Sequence, residues 1–115
     1  MDFDNKQPIY LQICDSLCEQ ILSGELQGGN RIPSVRELGG MLQVNPNTIM
    51  RSYEHLTAQG IIYNKRGVGY FVADNARATV LKERRERFFS EELPRLKKYI
   101  ELIEIDKQQI IDSLR

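Results

Sequence analysis

Polar side chains with paired hydrogen-bonding groups cluster between residues 45 and 51. Asn45 and Asn47 carry carboxamides, Thr48 a hydroxyl and Arg51 a guanidinium. Carboxamide and guanidinium groups can make two hydrogen bonds to one base edge in a DNA groove, and a guanidinium also binds phosphate. The spacing fits the first turns of a helix that presents these groups to nucleic acid. Two simpler interpretations stay open, since Asn45 also fits a helix cap and Arg51 an ordinary solvated side chain.

Three helices and a hairpin are predicted to position this segment. The helices run from Pro8 to Gly24, from Ser34 to Leu42 and from Asn45 to Gly60, with apolar residues at helical spacing. Ser34 and Glu37 have the spacing of a capping box. Ile61 to Asn64 and Tyr70 to Ala73 read as the two strands of a hairpin. The predicted fold class is mainly α with a small β-hairpin wing, a winged helix-turn-helix over residues 1–74.

The distribution of charge also indicates a nucleic-acid surface. The whole chain has a formal net charge of +0 at pH 7, which argues against a general polyanion binder. Residues 31–70 nevertheless set five basic side chains against Glu37 and Glu54, and these five are Arg31, Arg36, Arg51, Lys65 and Arg66. A local basic strip on a neutral protein suits a DNA reader that touches few phosphates and depends on specific contacts.

The sequence from residue 75 to residue 115 is charged and helical, and it predicts a two-helix dimerisation tail. Its second helix is expected to run from Pro94 to Ser113. The apolar residues that need a cover are Phe88, Phe89, Leu96, Ile100, Ile103, Ile110 and Leu114. The last five follow coiled-coil-like spacing, interrupted by Lys107. We expect them to pack against a second copy of the chain.

No reaction centre is visible in the sequence. His55 is the single histidine and lacks the partners of a catalytic triad or a metal site. Cys14 and Cys18 share a helix face, but no second pair completes a zinc site, so both are interpreted as small buried or half-buried thiols. We therefore expect no enzyme activity, no metal and no cofactor. Since neither a membrane-length apolar run nor a signal peptide is present, we expect a cytoplasmic protein.

Several runs of residues together resemble one family of bacterial regulators. They are Pro8-Ile9-Tyr10-Leu11-Gln12-Ile13, Ile32-Pro33-Ser34-Val35-Arg36-Glu37-Leu38, Asn45-Pro46-Asn47-Thr48, Tyr53-Glu54-His55-Leu56 and Gly67-Val68-Gly69-Tyr70-Phe71-Val72. They are similar to the GntR family of repressors, and the short helical tail resembles its YtrA-like branch. The resemblance covers nearly all of the N-terminal two-thirds of the chain. It implies a repressor of a neighbouring operon, often one that encodes a transporter.

The resemblance also implies roles for individual residues. The arginine of the family's Pro-Ser-x-Arg motif contacts DNA and corresponds to Arg36, although an ion pair with Glu37 or Glu54 is the alternative. The start of the recognition helix carries further contacts, which correspond to Asn45, Asn47, Thr48 and Arg51. The wing tip meets the minor groove or the backbone, which corresponds to Lys65, Arg66, Gly67 and Tyr70. An ordinary solvated turn is the alternative for the two basic wing residues.

The chain departs from the family at three positions. Pro46 and Met50 stand where other branches often have arginine, so a different operator sequence is expected. Gly39 stands where alanine is usual, which predicts a helix weaker by roughly 1 kcal/mol.

The predicted function is specific binding of double-stranded DNA at a pseudo-palindromic operator by a homodimer. A winged helix used only for protein contacts would not need the Asn-x-Asn-Thr opening or the basic wing. A sensor with an unknown small-molecule effector stays open as an alternative, although no set of residues points to a ligand.

Overall fold

The structure is a computed structural model that describes residues 7–115. Its helices and strands are α1 (Ile9–Ser23), α2 (Val35–Leu42), α3 (Pro46–Ala58), β1 (Ile62–Lys65), β2 (Gly69–Val72), α4 (Ala76–Arg87), a π-helical turn (Phe88–Glu92), α5 (Leu93–Leu102) and α6 (Lys107–Ser113). The chain divides into two compact units, 1–81 and 82–115, so the boundary falls inside α4. The first unit contains the three helices and the hairpin of the predicted winged helix-turn-helix, and it also includes the start of α4.

The first helix forms because its apolar residues recur on one side. Ile13, Leu17 and Ile21 are buried together with both cysteines, as the period of an amphipathic helix requires. The helix begins at Ile9, one residue after Pro8, and ends where the Gly24 N–H donates to the Ile21 carbonyl. This buried stripe packs against α3, which carries the candidate DNA contacts.

The predicted capping box at the start of α2 is confirmed. The Glu37 N–H donates to the Ser34 hydroxyl at 3.1 Å, and the Ser34 N–H donates to the Glu37 carboxylate at 3.0 Å. The backbone N–H of Ser34, with its side chain, holds the pKa of the Glu37 carboxyl below its usual range. Two amide groups that the helix cannot satisfy internally are thereby satisfied, which fixes where α2 begins.

The turn between α2 and α3 is tight enough to give Gly39 a packing role. Gln43 has a φ of 55° and the Val44 N–H donates to the Gly39 carbonyl at 2.9 Å. A Cβ on Gly39 would lie 2.9 Å from the Val44 carbonyl oxygen, whereas one on Gly40 would meet nothing within 4 Å. Glycine lowers the helix propensity of α2 at this position, as expected. It also lets the backbone of α2 approach the backbone of the turn more closely than a side chain would allow.

The wing is a hairpin extended by a third short segment. β1 and β2 pair antiparallel, with Ile62 opposite Val72 and Lys65 opposite Gly69. The observed strands differ from the predicted ones by about one residue at their ends, which is the usual uncertainty of strand boundaries. Residues 30–32 run along the other edge of β2, and the Ile32 N–H donates to the Tyr70 carbonyl at 3.0 Å. This pairing fastens the wing to the loop before α2.

The first unit has a single hydrophobic core. Its fully buried side chains come from the helices, the hairpin and the segment before α2, and include Ile32, Ile49, Tyr53, Leu56, Val72 and Val80. Burial of this kind, at roughly 1.5–3 kcal/mol per large apolar side chain, stabilises the arrangement of α3 and the wing.

The second unit differs from the prediction, because the expected helix from Pro94 to Ser113 is broken. α5 ends at Leu102, and Glu104 adopts a left-handed φ of 56°. The Ile105 N–H donates to the Ile100 carbonyl at 3.1 Å and the Glu104 N–H to the Glu101 carbonyl at 3.2 Å. These two bonds form a Schellman motif. Asp106 then caps α6 by accepting from the Gln108 N–H at 3.0 Å.

Candidate nucleic-acid interface

The third helix has one buried face and one exposed polar face. Ile49, Ser52, Tyr53 and Leu56 are buried against the rest of the first unit. Asn47, Met50, Arg51 and Glu54 are exposed, and their spacing of three and four residues places them together on the opposite side of the helix. Two of the predicted contacts, Asn47 and Arg51, therefore lie side by side where a ligand can reach them.

The other two predicted contacts on α3 lie at its first turn. The Asn45 carboxamide oxygen accepts from the Asn47 N–H at 2.9 Å, so the predicted cap is confirmed. The amide NH₂ of Asn45 is the part of that side chain left to donate to a ligand. Thr48 is half-buried beside it. The exposed N-terminal end of α3 thus presents short polar groups, as a helix that enters a groove requires.

Arg36 lies on the exposed side of the first turn of α2. Among residues 7–115, no ion pair joins it to Glu37 or Glu54. The Glu37 carboxylate is instead engaged by the Ser34 N–H. The ion-pair alternative for Arg36 therefore finds no support in this arrangement, and its guanidinium is available to an anion.

Arg51 is held by an aromatic ring of α1. Its guanidinium carbon lies 4.0 Å from the centroid of the Tyr10 ring, a distance at which a cation is attracted to the ring face. Tyr10 also contacts His55 edge-on, with ring centroids 6.1 Å apart. His55 itself is exposed.

The wing presents its basic residues at the tip. Lys65, Arg66 and Gly67 are all exposed, and the turn is closed by a hydrogen bond from the Val68 N–H to the Lys65 carbonyl at 2.9 Å. The Lys65 ammonium lies 5.9 Å from the centroid of the Phe71 ring. A cationic tip of this kind can meet phosphates without reading a base.

Tyr70 connects the wing to the recognition helix. Its half-buried ring packs edge-on against Tyr53, with centroids 4.8 Å apart, and its hydroxyl lies 3.9 Å from the Met50 sulfur, to which it donates. The Tyr53 hydroxyl donates to the Pro33 carbonyl at 2.6 Å, and burial raises the pKa of Tyr53. Tyr70 therefore has a structural task as well as its predicted contact with DNA, which stays a prediction.

Arg31 is a basic residue to which sequence reasoning gave no role beyond the charge count. It is exposed on the segment that pairs with β2, and its Nε lies 3.0 Å from the position that a Cβ on Gly69 would occupy. Gly69 has a φ of 142°, so glycine suits both the conformation and the close approach. The glycine in the wing motif was the available signal, but only the fold shows that an arginine packs over it.

The two cysteines are buried on α1, in the core that supports α3. Both are buried, and the Cys14 thiol donates to the Ser52 carbonyl at 3.4 Å. Burial raises the pKa of the Cys14 thiol to about 11, so the reactive thiolate is scarce near neutral pH. Within residues 7–115, no three His, Cys, Asp or Glu side chains are grouped to hold a metal ion.

The residues predicted to mediate dimerisation all lie in the second unit. Phe88, Phe89, Leu96, Ile103 and Leu114 are exposed, and Ile100 and Ile110 are half-buried. Because α5 and α6 are separate helices, the five aliphatic residues from Leu96 to Leu114 do not form the single continuous seam that was expected. Their role in pairing two chains stays a prediction.

Comparison with known proteins supports this interpretation of the first unit. Residues 9–72 match the family described as bacterial regulatory proteins, gntR family. The HTH-type transcriptional regulator YhcF of Bacillus subtilis is 33% identical over 113 residues, covering 98% of this chain and 92% of YhcF. The HTH-type transcriptional repressor YtrA of the same organism is 38% identical over 82 residues, covering 71% of this chain and 63% of YtrA.

Solved structures are similar both in the whole chain and in the first unit. A GntR family transcriptional regulator from Listeria monocytogenes superposes with a TM-score of 0.79 at 30% identity, covering 97% of this chain and 96% of its own. The structure of AraR(DBD) in complex with operator ORR3 has a TM-score of 0.55 at 32% identity, covering 57% and 80%. The predicted winged helix-turn-helix fold is confirmed, and these relatives are transcription regulators rather than enzymes.

Proposed function

Because the chain belongs to the GntR family of DNA-binding transcription regulators, we propose that it binds a pseudo-palindromic operator as a homodimer and represses a neighbouring operon. The observation that carries this proposal is the two-sided third helix. Its apolar side is buried, and its polar side presents Asn47 and Arg51 to the outside. A helix exposed in this way can enter the major groove with its N-terminal residues at the base edges.

We assign separate tasks to the proposed contacts. Asn45, Asn47 and Thr48 lie at the start of α3, where short polar groups reach base edges. Arg36 and the basic wing residues Lys65 and Arg66 supply cations for phosphates or for the minor groove. With a net charge of +0, the chain depends on these local cations and not on a general attraction to DNA.

Pairing of two chains follows from the exposed apolar residues of the second unit. We assign the DNA-binding function to residues 1–74 and the pairing function to residues 75–115. A single winged domain buries only roughly 600–1,000 Å² on DNA, less than many specific complexes bury. Two copies related by a two-fold axis would double that area and would require two inverted half-sites about one helical turn apart.

Repression and the regulated genes rest on the family alone. YtrA, a relative that this chain covers over 63% of its length, is described as a repressor. The resemblance to this family implies a repressor of a neighbouring operon, often one that encodes a transporter. We propose the same role for this chain, and we propose that it acts in the cytoplasm. Among residues 7–115, no helix is both long and apolar enough to cross a membrane.

The proposal is tested by selecting duplexes from a random-sequence pool with the wild-type protein and then measuring binding of variants. We expect selection to return inverted half-sites. Arg36→Ala should weaken binding by roughly 1–3 kcal/mol if it reads a base, or should lower the salt slope by about one if it meets phosphate. Lys98→Ala in the second unit, which removes the same charge outside the proposed surface, is the matched control and should bind as the wild type. Failure to enrich any sequence would contradict the proposal.

A further inference from the structure

The contact between Arg51 and Tyr10 joins the recognition helix to the start of the first helix. The guanidinium of Arg51 lies over the Tyr10 ring, 4.0 Å from its centroid. Both residues belong to the first unit but are far apart in sequence. Tyr10 and Arg51 therefore come into contact only when α1 packs against α3, and no motif in the sequence indicated the pair.

Tyr10 is held in place from two directions by neighbours of Arg51 on α3. The hydroxyl of the buried Ser52 donates to the Tyr10 backbone carbonyl at 2.7 Å. The His55 ring approaches the Tyr10 ring edge-on at a centroid distance of 6.1 Å. The Ser52 bond anchors the Tyr10 backbone to α3, and His55 contacts the ring itself. A guanidinium that already rests on this ring loses less conformational entropy when it binds a ligand.

The position of Arg51 on α3 determines what it can reach. An α-helix turns 100° per residue, so Asn47 and Glu54 lie near the middle of the exposed face while Met50 and Arg51 lie at its two edges. Contacts agree with this placement, because Met50 meets Tyr70 of the wing and Arg51 meets Tyr10 of α1. The middle of a helix in the major groove faces base edges, whereas its edges face the bordering phosphate backbones.

We propose that Tyr10 is a positioning residue that holds Arg51 at the α1 edge of the recognition helix, where Arg51 binds a DNA phosphate rather than a base. The ring covers one face of the guanidinium and leaves the N–H groups at its rim able to donate to phosphate oxygens. This inference rests on the proposed DNA-binding function, and it assigns Arg51 to affinity, with base recognition left to the residues nearer the start and middle of the helix.

The first test measures binding to two duplexes over a range of salt concentrations. One duplex has random sequence, and the other is the site that the wild-type protein selects. Arg51→Ala should weaken binding to both duplexes by the same factor and lower the salt slope by about one. Tyr10→Leu should weaken both by about two- to five-fold, the value expected for an exposed cation–π contact. Tyr10→Phe keeps the ring and should bind as the wild type.

The second test separates positioning from a structural role by combining the two substitutions. If Tyr10 acts through Arg51, Tyr10→Leu should cause no further loss in a protein that already carries Arg51→Ala. A loss of equal size in both backgrounds would overturn the proposal, as would wild-type binding by Tyr10→Leu or a loss by Arg51→Ala confined to the selected duplex. Tyr10→Met also removes the ring and serves the same cycle if the leucine variant fails to fold.

The two proposals fail in different ways. A wild-type protein that binds neither duplex would overturn the proposed function. A wild-type protein that selects an operator, combined with additive effects of the Tyr10 and Arg51 substitutions, would overturn only the positioning role of Tyr10.

Discussion

The two units of this chain bury their apolar residues to different extents. In the first unit, Ile49 and Tyr53 are 0% exposed, and a single core joins the helices to the hairpin. In the second unit no residue from 82 to 115 is buried, and Phe89 and Leu114 are 68% and 83% exposed. Large exposed apolar surfaces commonly mark interaction sites. The first unit therefore has a closed core of its own, whereas residues 82–115 have none, and this contrast is why we propose that the second unit pairs two chains.

The strongest test of this contrast is to make the second unit polar. Ile100→Glu combined with Ile103→Glu should convert the proposed dimer to monomers, because each aliphatic side chain that loses its cover forfeits roughly 1.5–3 kcal/mol. We expect sedimentation at micromolar concentration to show a monomer, and binding assays to show that this monomer has a weaker affinity for the operator than the wild type. Glu101→Gln, a polar exchange in the same helix, should leave the dimer intact. A wild-type protein that sediments as a monomer would contradict the assigned role of the second unit.

The core of the first unit should respond most strongly to truncation within one chain. Ile49→Ala should lower the free energy of unfolding by about 2–5 kcal/mol, because it removes buried methylene groups and leaves a cavity under α3. Urea denaturation measures this change. Met41→Ala, at a side chain that is 69% exposed, should change stability by less than about 0.5 kcal/mol. Similar effects of the two substitutions would mean that the core does not close as described.

The turn of the helix-turn-helix can be tested with two adjacent glycines. Gly40→Ala should raise the free energy of unfolding by about 1 kcal/mol, because alanine favours the helix and its Cβ meets nothing within 4 Å. Gly39→Ala gains the same propensity but must displace the Val44 carbonyl, which would lie 2.9 Å from the new Cβ. We expect it to be clearly less stable than Gly40→Ala in thermal unfolding. Equal stabilities would rule out a packing role for Gly39.

The smallest predicted effect concerns the break between α5 and α6. Glu104→Gly should stabilise the second unit by up to about 1 kcal/mol, because glycine adopts the left-handed φ of 56° without steric cost. Glu101→Gly, within α5, should destabilise it by a similar amount. Helical content followed by circular dichroism during thermal unfolding separates the two. Stabilisation by both variants, or by neither, would argue against the Schellman motif.

The sequence predicted best the features that depend on neighbouring residues. The capping box of Ser34 and Glu37 and the Asn45 cap were both predicted and both form, because each depends on side chains within three positions of one another. The break at Glu104 was missed, since a glutamate gives no left-handed signal of the kind that glycine provides. The prediction of one continuous helix from Pro94 to Ser113 was therefore wrong.

The candidate interface was predictable in its main residues but not in how they are supported. Arg36, Asn47 and Arg51 follow from local pattern and family resemblance, and the structure places all three on exposed surfaces. The contact of Arg51 with the Tyr10 ring and the packing of Arg31 over Gly69 each join segments that are distant in sequence. Such contacts arise only when the helices and the hairpin pack, so no local pattern could have indicated them.

A footprint on the selected operator tests most directly whether one unit reads DNA while the other pairs two chains. The wild-type protein should protect two inverted half-sites about one helical turn apart, both at the same protein concentration. The Ile100→Glu, Ile103→Glu variant should protect each half-site independently and only at higher concentration. Full-affinity protection of a single unpaired half-site by the wild-type protein would contradict the account.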